Sequence, residues 1–366
     1  MRSRAAVLAA FEKPLEAREY PTPETIPPGG ALVEVEMAGI CGTDVHLWRG
    51  QLPIPLPVIL GHETVGRIAA LGEGLERDWT GRPLAAGDRV CWASSIVCGA
   101  CYYCRIKRQP TRCLSRKAYG ISYCADEPPH LYGGYAEHIL LRPGTAIFRL
   151  PDRLATEAVV GAGCALWTAI HGVERMGIGW GDVVVVQGAG PVGVAAVAVA
   201  REAGASRIIV TGAPEHRLAR ARRFSADVTI DVDLVPIRDR KRAVLDSTPG
   251  GFGADVVIEC VGHPAAVAEG LDYCRDGAKI LVLGQYGDAG ATPINPHHIT
   301  RKQLQLYGSW GFEPRHVLAA IELLERSAAR YPFGGTVTHR FGLDEANEAL
   351  ETTRQWASGK SVIVPK

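Results

Sequence analysis

Val183-Val-Val-Val-Gln187 runs directly into Gly188-Ala-Gly190-Pro191-Val192-Gly193, and that into the small apolar run Val194-Ala-Ala-Val-Ala-Val-Ala200. The first segment reads as a buried strand, since four consecutive valines suit a sheet covered on both faces. The last reads as a helix over 192–203. Between them the G-x-G-x-x-G spacing has a mechanical reading. The glycines permit a tight turn and close backbone approach, and the helix start offers free N–H groups to a pyrophosphate. Gly188, Gly190, Pro191, Val192 and Gly193 are therefore candidate cofactor contacts. A glycine turn that only packs helix on sheet is the plain alternative. The strand before it and the alanine-rich helix after it favour the phosphate reading.

Outward from this turn the pattern repeats. Strand-type runs at 207–211, 228–231, 254–260, 279–283 and 304–307 alternate with helical stretches such as 216–224. Alternation of this kind implies a doubly wound parallel sheet. Such a sheet places an acid for the adenosine ribose about 20 residues past the turn. The chain instead has Gly212 there, followed by Glu215, His216 and Arg217. Loss of the acid removes repulsion toward a 2′-phosphate, which His216 and Arg217 would contact. Those two residues equally suit a solvated helix start, and Glu215 has the chemistry to meet a ribose hydroxyl. NAD and NADP stay open at this point.

Residues before about 165 have a different texture. Short β-type runs at 31–37, 65–69, 89–93 and 136–141 lie between Gly and Pro signals, as in an irregular strand-rich domain. The last 56 residues add helices over 314–328 and 343–353 and a strand over 361–364. The division expected is 1–165, 166–310, and a return of 311–366 to the first domain.

Bulk properties bound the function. The 366 residues suffice for two domains. Lys and Arg total 40 against 39 acids, so no global field draws the chain to nucleic acid or anionic lipid. No apolar run reaches the ~18–20 residues of a membrane span. The N-terminal Met1–Glu16 segment is interrupted by Glu12 and Lys13, and reads as a strand rather than a secretion signal. Cytoplasmic residence is the expectation. In a reducing compartment, ten cysteines with four in one window point to metal rather than disulfides.

That window is Cys98-Gly-Ala-Cys101-Tyr-Tyr-Cys104, then Cys113, a Cys₄ zinc pattern within a lobe over 92–124. Arg105, Lys107, Arg108 and Arg112 would offset the surplus thiolate charge. Free or redox-active cysteines are the alternative. Cys91, Cys124, Cys260 and Cys274 read as packing residues. A second set is dispersed: Cys41 and His46 in Cys41-Gly-Thr43-Asp44-Val-His46, His62 in Gly61-His62-Glu63, and Cys164 in Gly161-Ala-Gly-Cys164-Ala-Leu-Trp-Thr168. Each residue alone is more simply a packing Cys or a structural His.

Taken together, the Cys41–His46 and Gly61–Glu63 segments, the four-cysteine lobe, Gly133–His138, the Gly188–Gly193 turn and the Gly161–Thr168 segment make the chain resemble the zinc-dependent medium-chain alcohol dehydrogenases over its full length. The resemblance implies an α/β architecture, a GroES-like catalytic domain joined to a Rossmann domain. It implies catalytic zinc on Cys41, His62 and Cys164, with Glu63 behind or beside the metal, and structural zinc on the four-cysteine lobe. Eight residues separate Cys104 from Cys113, one more than the family pattern. Asp44 would hydrogen-bond the second nitrogen of His62. Thr43 would meet the substrate hydroxyl and His46 would pass its proton to solvent. Thr168, Val192 and Leu283 would border the nicotinamide. The activity implied is hydride transfer between an alcohol, or its carbonyl form, and NAD or NADP, in a homodimer or homotetramer paired at the Tyr307–Trp310 edge. A zinc-independent quinone or enoyl reductase of the same fold, or a non-catalytic NAD(P)-binding protein, is the competing reading. Lys360 reads as a solvated lysine, contact with the pyrophosphate being the alternative, and His297-His298 as an exposed loop rather than the metal pair it resembles.

Overall fold

The computed structural model describes residues 1–356 and 358–366, which form two compact units. The first comprises Met1–Gly163, Glu313–Ala328 and Phe333–Lys366. The second comprises Cys164–Phe312 and Ala329–Pro332.

The first unit is built on an irregular sheet in the order Ile147–Arg149, Arg89–Trp92, Glu63–Leu71, Ala31–Gly39, Lys360–Ile363, Val337–Phe341, with His138–Leu141 also pairing with Ala31–Gly39. A smaller sheet joins Glu16–Pro21, Arg2–Leu8 and Val58–Ile59. The opening residues are thus a strand, with Arg2 opposite Pro21. The closing strand lies antiparallel to Ala31–Gly39, with Val362 opposite Gly39 and Ile363 opposite Ala38. Between the sheets Leu8, Val33, Leu47, Ile59, Leu60, Tyr119, Tyr135 and Phe148 are sealed from solvent. Bulky apolar side chains alternating along twisted strands fill this core.

The second unit is a six-stranded sheet. Its strands are β1 (Val183–Gln187), β2 (Arg207–Gly212), β3 (Val228–Asp231), β4 (Ala254–Glu259), β5 (Cys274–Val282) and β6 (Gln305–Gly308). They are ordered β3-β2-β1-β4-β5-β6 and every pairing is parallel. Burial of every residue of β1 explains its unbroken apolar character. The order reverses direction at β1, the position where such sheets take a ligand at the carboxyl ends of their strands. This is the doubly wound architecture expected from the alternating pattern.

Two local expectations need correction. His297 and His298 are exposed but helical, in the first turn of Pro296–Lys302. The Asn295 side chain accepts from the His297 N–H at 3.0 Å and Pro296 pre-sets the first helical φ, a start signal the paired histidines obscured. Lys360 is not solvated: it is 5% exposed. Its position at the start of an interior strand places its side chain under the sheet.

Candidate metal and dinucleotide sites

Cys41 is the N-cap of the Gly42–Trp48 helix, and the cap is made by a carboxylate. Asp44 Oδ2 accepts the Cys41 N–H at 2.8 Å, as the third helical residue does in a capping box. That bond fixes the buried Asp44 carboxylate, and its other oxygen lies 3.4 Å from His62 Nδ1. His62 follows Gly61, whose φ is +94°. A Cβ at Gly61 would lie 2.6 Å from the Tyr135 ring, so only glycine turns the chain tightly enough here.

Cys164 follows Gly163, the last residue of the first unit's main segment. Gly163 (φ 48°, ψ −154°) breaks the Thr156–Met176 helix just before that cysteine. A Cβ there would stand 2.3 Å from Glu63 Oε1, so the bare glycine lets the carboxylate press against the helix. The outcome is a four-residue cluster. Cys41, His62, Glu63 and Cys164 each offer a ligand atom, and these all lie within 4.8 Å of one another. Two sulfurs, an imidazole and a carboxylate at that spacing suit zinc chemically. With Nδ1 turned to Asp44, His62 presents Nε2 to the group. Burial works against charging the ring, but Asp44 and then Cys41 outweigh it and hold its pKa well above the ordinary value. A metal ion would displace that proton.

Two buried side chains, Tyr135 and Lys360, stand beside the cluster. Tyr135 is fully buried, and burial followed by Asp44 pushes its phenol well above the ordinary value, so it stays a neutral hydroxyl beside the carboxylate. It sits in the Gly133–His138 motif, which was noted only as a marker of likeness. Lys360 Nζ pairs with Glu63 Oε2, both side chains being buried. Thr43 and His46 lie three residues apart on the Gly42–Trp48 helix and are half-buried, with His46 Nδ1 bonded to Gln51. Trp48 donates its ring N–H to the Lys13 carbonyl at 2.8 Å. Trp167 is buried edge-on to Phe312, so it is a packing residue.

In the separate lobe Cys98, Cys101, Cys104 and Cys113 also bring their sulfurs within 4.8 Å. Between them Tyr102–Ile106 forms a wide turn in which the Lys107 N–H reaches the Tyr102 carbonyl. Such a turn takes up one residue more than an α turn, and the Cys104–Cys113 gap begins inside it. Backbone N–H groups of Leu114 and Cys104 lower Cys101 to about 6, and those of Ala100 and Cys101 lower Cys98. Desolvation and the neighbouring Cys101 and Cys113 push Cys104 up to about 12. Four thiols this close ionise together only around a cation.

In the second unit Gly188 takes φ +97° as β1 ends, and Gly190 and Pro191 open the Pro191–Glu202 helix. A Cβ at Gly193 would lie 1.9 Å from the Gly188 carbonyl oxygen, so the helix packs directly on the turn. A Cβ at Gly190 would meet nothing within 4 Å. Val192 and Thr168 are half-buried. Gly212 ends β2, while His216 and Arg217 lie in the first turn of the Glu215–Arg223 helix. Leu283 is buried, with its methyls against Gly172. No helix among the described residues is long and apolar enough to cross a membrane.

Residues 27–152 match the alcohol dehydrogenase GroES-like domain, and residues 191–326 match the zinc-binding dehydrogenase domain. The chain is 38% identical over 365 residues to the 5-exo-hydroxycamphor dehydrogenase of Pseudomonas putida, covering 99% of this chain and 98% of that one. Among solved structures, an alcohol dehydrogenase from Thermotoga maritima superposes with a TM-score of 0.95 at 34% identity, covering all of both chains. A zinc-binding dehydrogenase from Sinorhizobium meliloti, bound to NADP, gives 0.84 at 28% identity, again over both whole chains.

Proposed function

The chain belongs to the zinc-type medium-chain alcohol dehydrogenase family, and from that premise we propose that it is a zinc-dependent enzyme that interconverts a bulky, largely apolar secondary alcohol and its ketone with NAD(P). What carries the reading is the convergence of Cys41, His62, Glu63 and Cys164, distant in sequence, to within 4.8 Å. The substrate class follows the hydroxycamphor dehydrogenase to which the chain is similar.

Cys41, His62 and Cys164 would hold the catalytic ion, with Glu63 in reserve, and the four-cysteine lobe would hold a structural one. When bound, the catalytic ion supplies Lewis acidity at the reacting oxygen. Asp44 fixes the His62 tautomer and ring orientation. The Thr43 hydroxyl takes the alcohol proton and hands it to His46, three residues on along the same helix, whose other ring nitrogen rests on Gln51. The Gly188–Gly193 turn would hold the dinucleotide through backbone N–H groups, and Thr168 and Val192 would border its nicotinamide, which supplies the hydride acceptor. The enzyme acts in the cytoplasm as a homo-oligomer, joined at the exposed β6 edge where Leu306 is 45% exposed.

The test is an assay of purified protein on monoterpenoid and simple secondary alcohols with NAD and NADP in parallel, before and after chelation. Turnover of the cyclic alcohols that vanishes with chelator and returns with zinc is expected. Chelator-insensitive turnover, or reduction of quinones in its place, would refute it.

A further inference from the structure

One buried carboxylate joins the carboxyl ends of β4 and β5. Glu259, the last residue of β4, is sealed from solvent. Its Oε1 accepts the N–H groups of Val261 and Gly262, each at 2.7 Å, and its Oε2 accepts the Gly284 N–H at 3.2 Å. Val261 and Gly262 lie in the loop after β4, and Gly284 in the loop after β5. The two glycines face each other across this carboxylate. Gly262 takes φ +79°, and a Cβ on it would lie 2.7 Å from the Gly284 carbonyl oxygen. A Cβ on Gly284 would lie 2.4 Å from the Gly262 nitrogen and 2.7 Å from Glu259 Oε1. Backbone thus packs on backbone, with Glu259 as the common acceptor.

The loop held in this way borders the phosphate turn. A Cβ at Gly188 would lie 3.1 Å from the Cys260 carbonyl oxygen and 3.3 Å from Val261 Cγ2. Val261 is 51% exposed although apolar, so it offers bare surface beside that turn. In a doubly wound sheet the adenosine ribose is met at the end of the second strand, here β2. The other half of a dinucleotide therefore leaves the turn toward the ends of β4 and β5, where the two loops lie.

We propose that Glu259 is a positioning residue for the nicotinamide half of the cofactor: by gathering the N–H groups of Val261, Gly262 and Gly284 it fixes the two loops as one bed, without touching the cofactor itself. This rests on the dehydrogenase reading above. A carboxylate is an acceptor at both oxygens, whereas an amide has one acceptor oxygen and an NH₂ group that donates. Glutamine at this position therefore satisfies one loop and turns a donor on the other. Bonds from N–H groups to an ionised acceptor are also the stronger kind, so the neutral side chain loosens both.

Binding tests this without recourse to turnover. The purified protein is titrated calorimetrically with NADH and 5′-AMP, and with NADPH and adenosine 2′,5′-bisphosphate, so that each pair separates the whole dinucleotide from its adenosine half. Glu259→Gln should bind the preferred dinucleotide roughly tenfold more weakly and its adenosine half within about twofold of the unaltered protein. Gly262→Ala keeps the carboxylate and presses the loops apart, and should show the same selective loss. A folded Glu259→Gln protein that keeps the ratio of the two affinities overturns the proposal while leaving the dehydrogenase reading intact. So does an equal loss on both members of a pair, which is the mark of a general loosening of the unit. Where Glu259→Gln fails to fold, an unchanged ratio in Gly262→Ala overturns it in the same way. Failure of the unaltered protein to bind either dinucleotide would overturn both readings.

Discussion

Lys360 Nζ meets Glu63 Oε2 beneath the sheet of the first unit, with 4% and 0% of the two side chains exposed. The strands that begin at these residues do not pair; Ala31–Gly39 runs between them. The contact passes over Gly39, where a Cβ would lie 2.9 Å from Glu63 Oε2, Lys360 Cε and Val160 Cγ1 alike. A glycine in the middle strand thus lets the two outer strands exchange charge across it. The pair ties the C-terminal strand to the metal cluster.

Removing one member of a buried pair strands the other charge, at a cost of roughly 3–5 kcal/mol. Lys360→Met should lower stability by about that much in urea titration. Glu63→Gln/Lys360→Met should recover much of the loss, because neither member is then left charged. A lysine that serves mainly the dinucleotide pyrophosphate predicts the reverse: weakened cofactor binding and an unchanged urea midpoint.

Asp44 touches two of the proposed ligands, the Cys41 backbone through one oxygen and the His62 ring through the other. Its cap bond to the Cys41 N–H holds the carboxylate regardless of metal, so Asp44→Asn should preserve the helix start while removing the charge that orients the ring. Such outer partners are typically worth 10–100-fold in metal affinity. Competition with a chromophoric zinc chelator should show a loss of about that size at one of two sites. Unchanged affinity would mean that the 3.4 Å approach does not control the ligand.

The dinucleotide unit was legible because its signals are local. β1, the glycine turn and the Pro191–Glu202 helix are contiguous, so period and composition reveal them. The four-cysteine lobe was legible for the same reason. The Ile237–Asp246 helix escaped notice because only Val244 on it is buried, which leaves almost no apolar period to read. The dispersed cluster has no signature in spacing. Cys41, His62 and Cys164 meet only through a capped helix, a φ +94° turn and a broken helix, so their association was readable by family likeness alone. Lys360 was misread because a lysine is ordinarily a surface residue. Its burial depends on Glu63, nearly the whole chain away.

His138 gives the first unit a dependence on pH. Its ring is buried against Ser3 Oγ, and burial lowers its pKa, with Glu137 opposing. The folded chain therefore binds fewer protons than the unfolded chain as pH falls past the ordinary histidine value near 6.5. The stability concerned is fully present above that value and is lost on acidification through the depressed one. Urea midpoints at about pH 7.5 and 5.5 should fall more for the unaltered protein than for His138→Gln. Parallel lines for the two proteins would remove His138 from the account.

Gly193 and Gly190 belong to one motif, yet the structure gives them separable roles. Alanine inside a helix normally stabilises by roughly 0.5–1 kcal/mol over glycine. At position 193 its Cβ would stand 1.9 Å from the Gly188 carbonyl oxygen, and backbone does not yield cheaply. Overpacking of this kind costs typically 1–3 kcal/mol, so the clash outweighs the propensity and Gly193→Ala should unfold at lower temperature. At Gly190 the added methyl meets nothing within 4 Å, and the residue's φ of −76° suits any side chain. Gly190→Ala should keep its melting temperature to within about one degree. The open space above Gly190 is where a pyrophosphate would approach the helix start, so the same variant should bind both dinucleotides more weakly. Calorimetry and thermal unfolding on the two variants together distinguish packing from recognition. A Gly190→Ala protein that binds dinucleotide undiminished would show that the phosphates lie elsewhere.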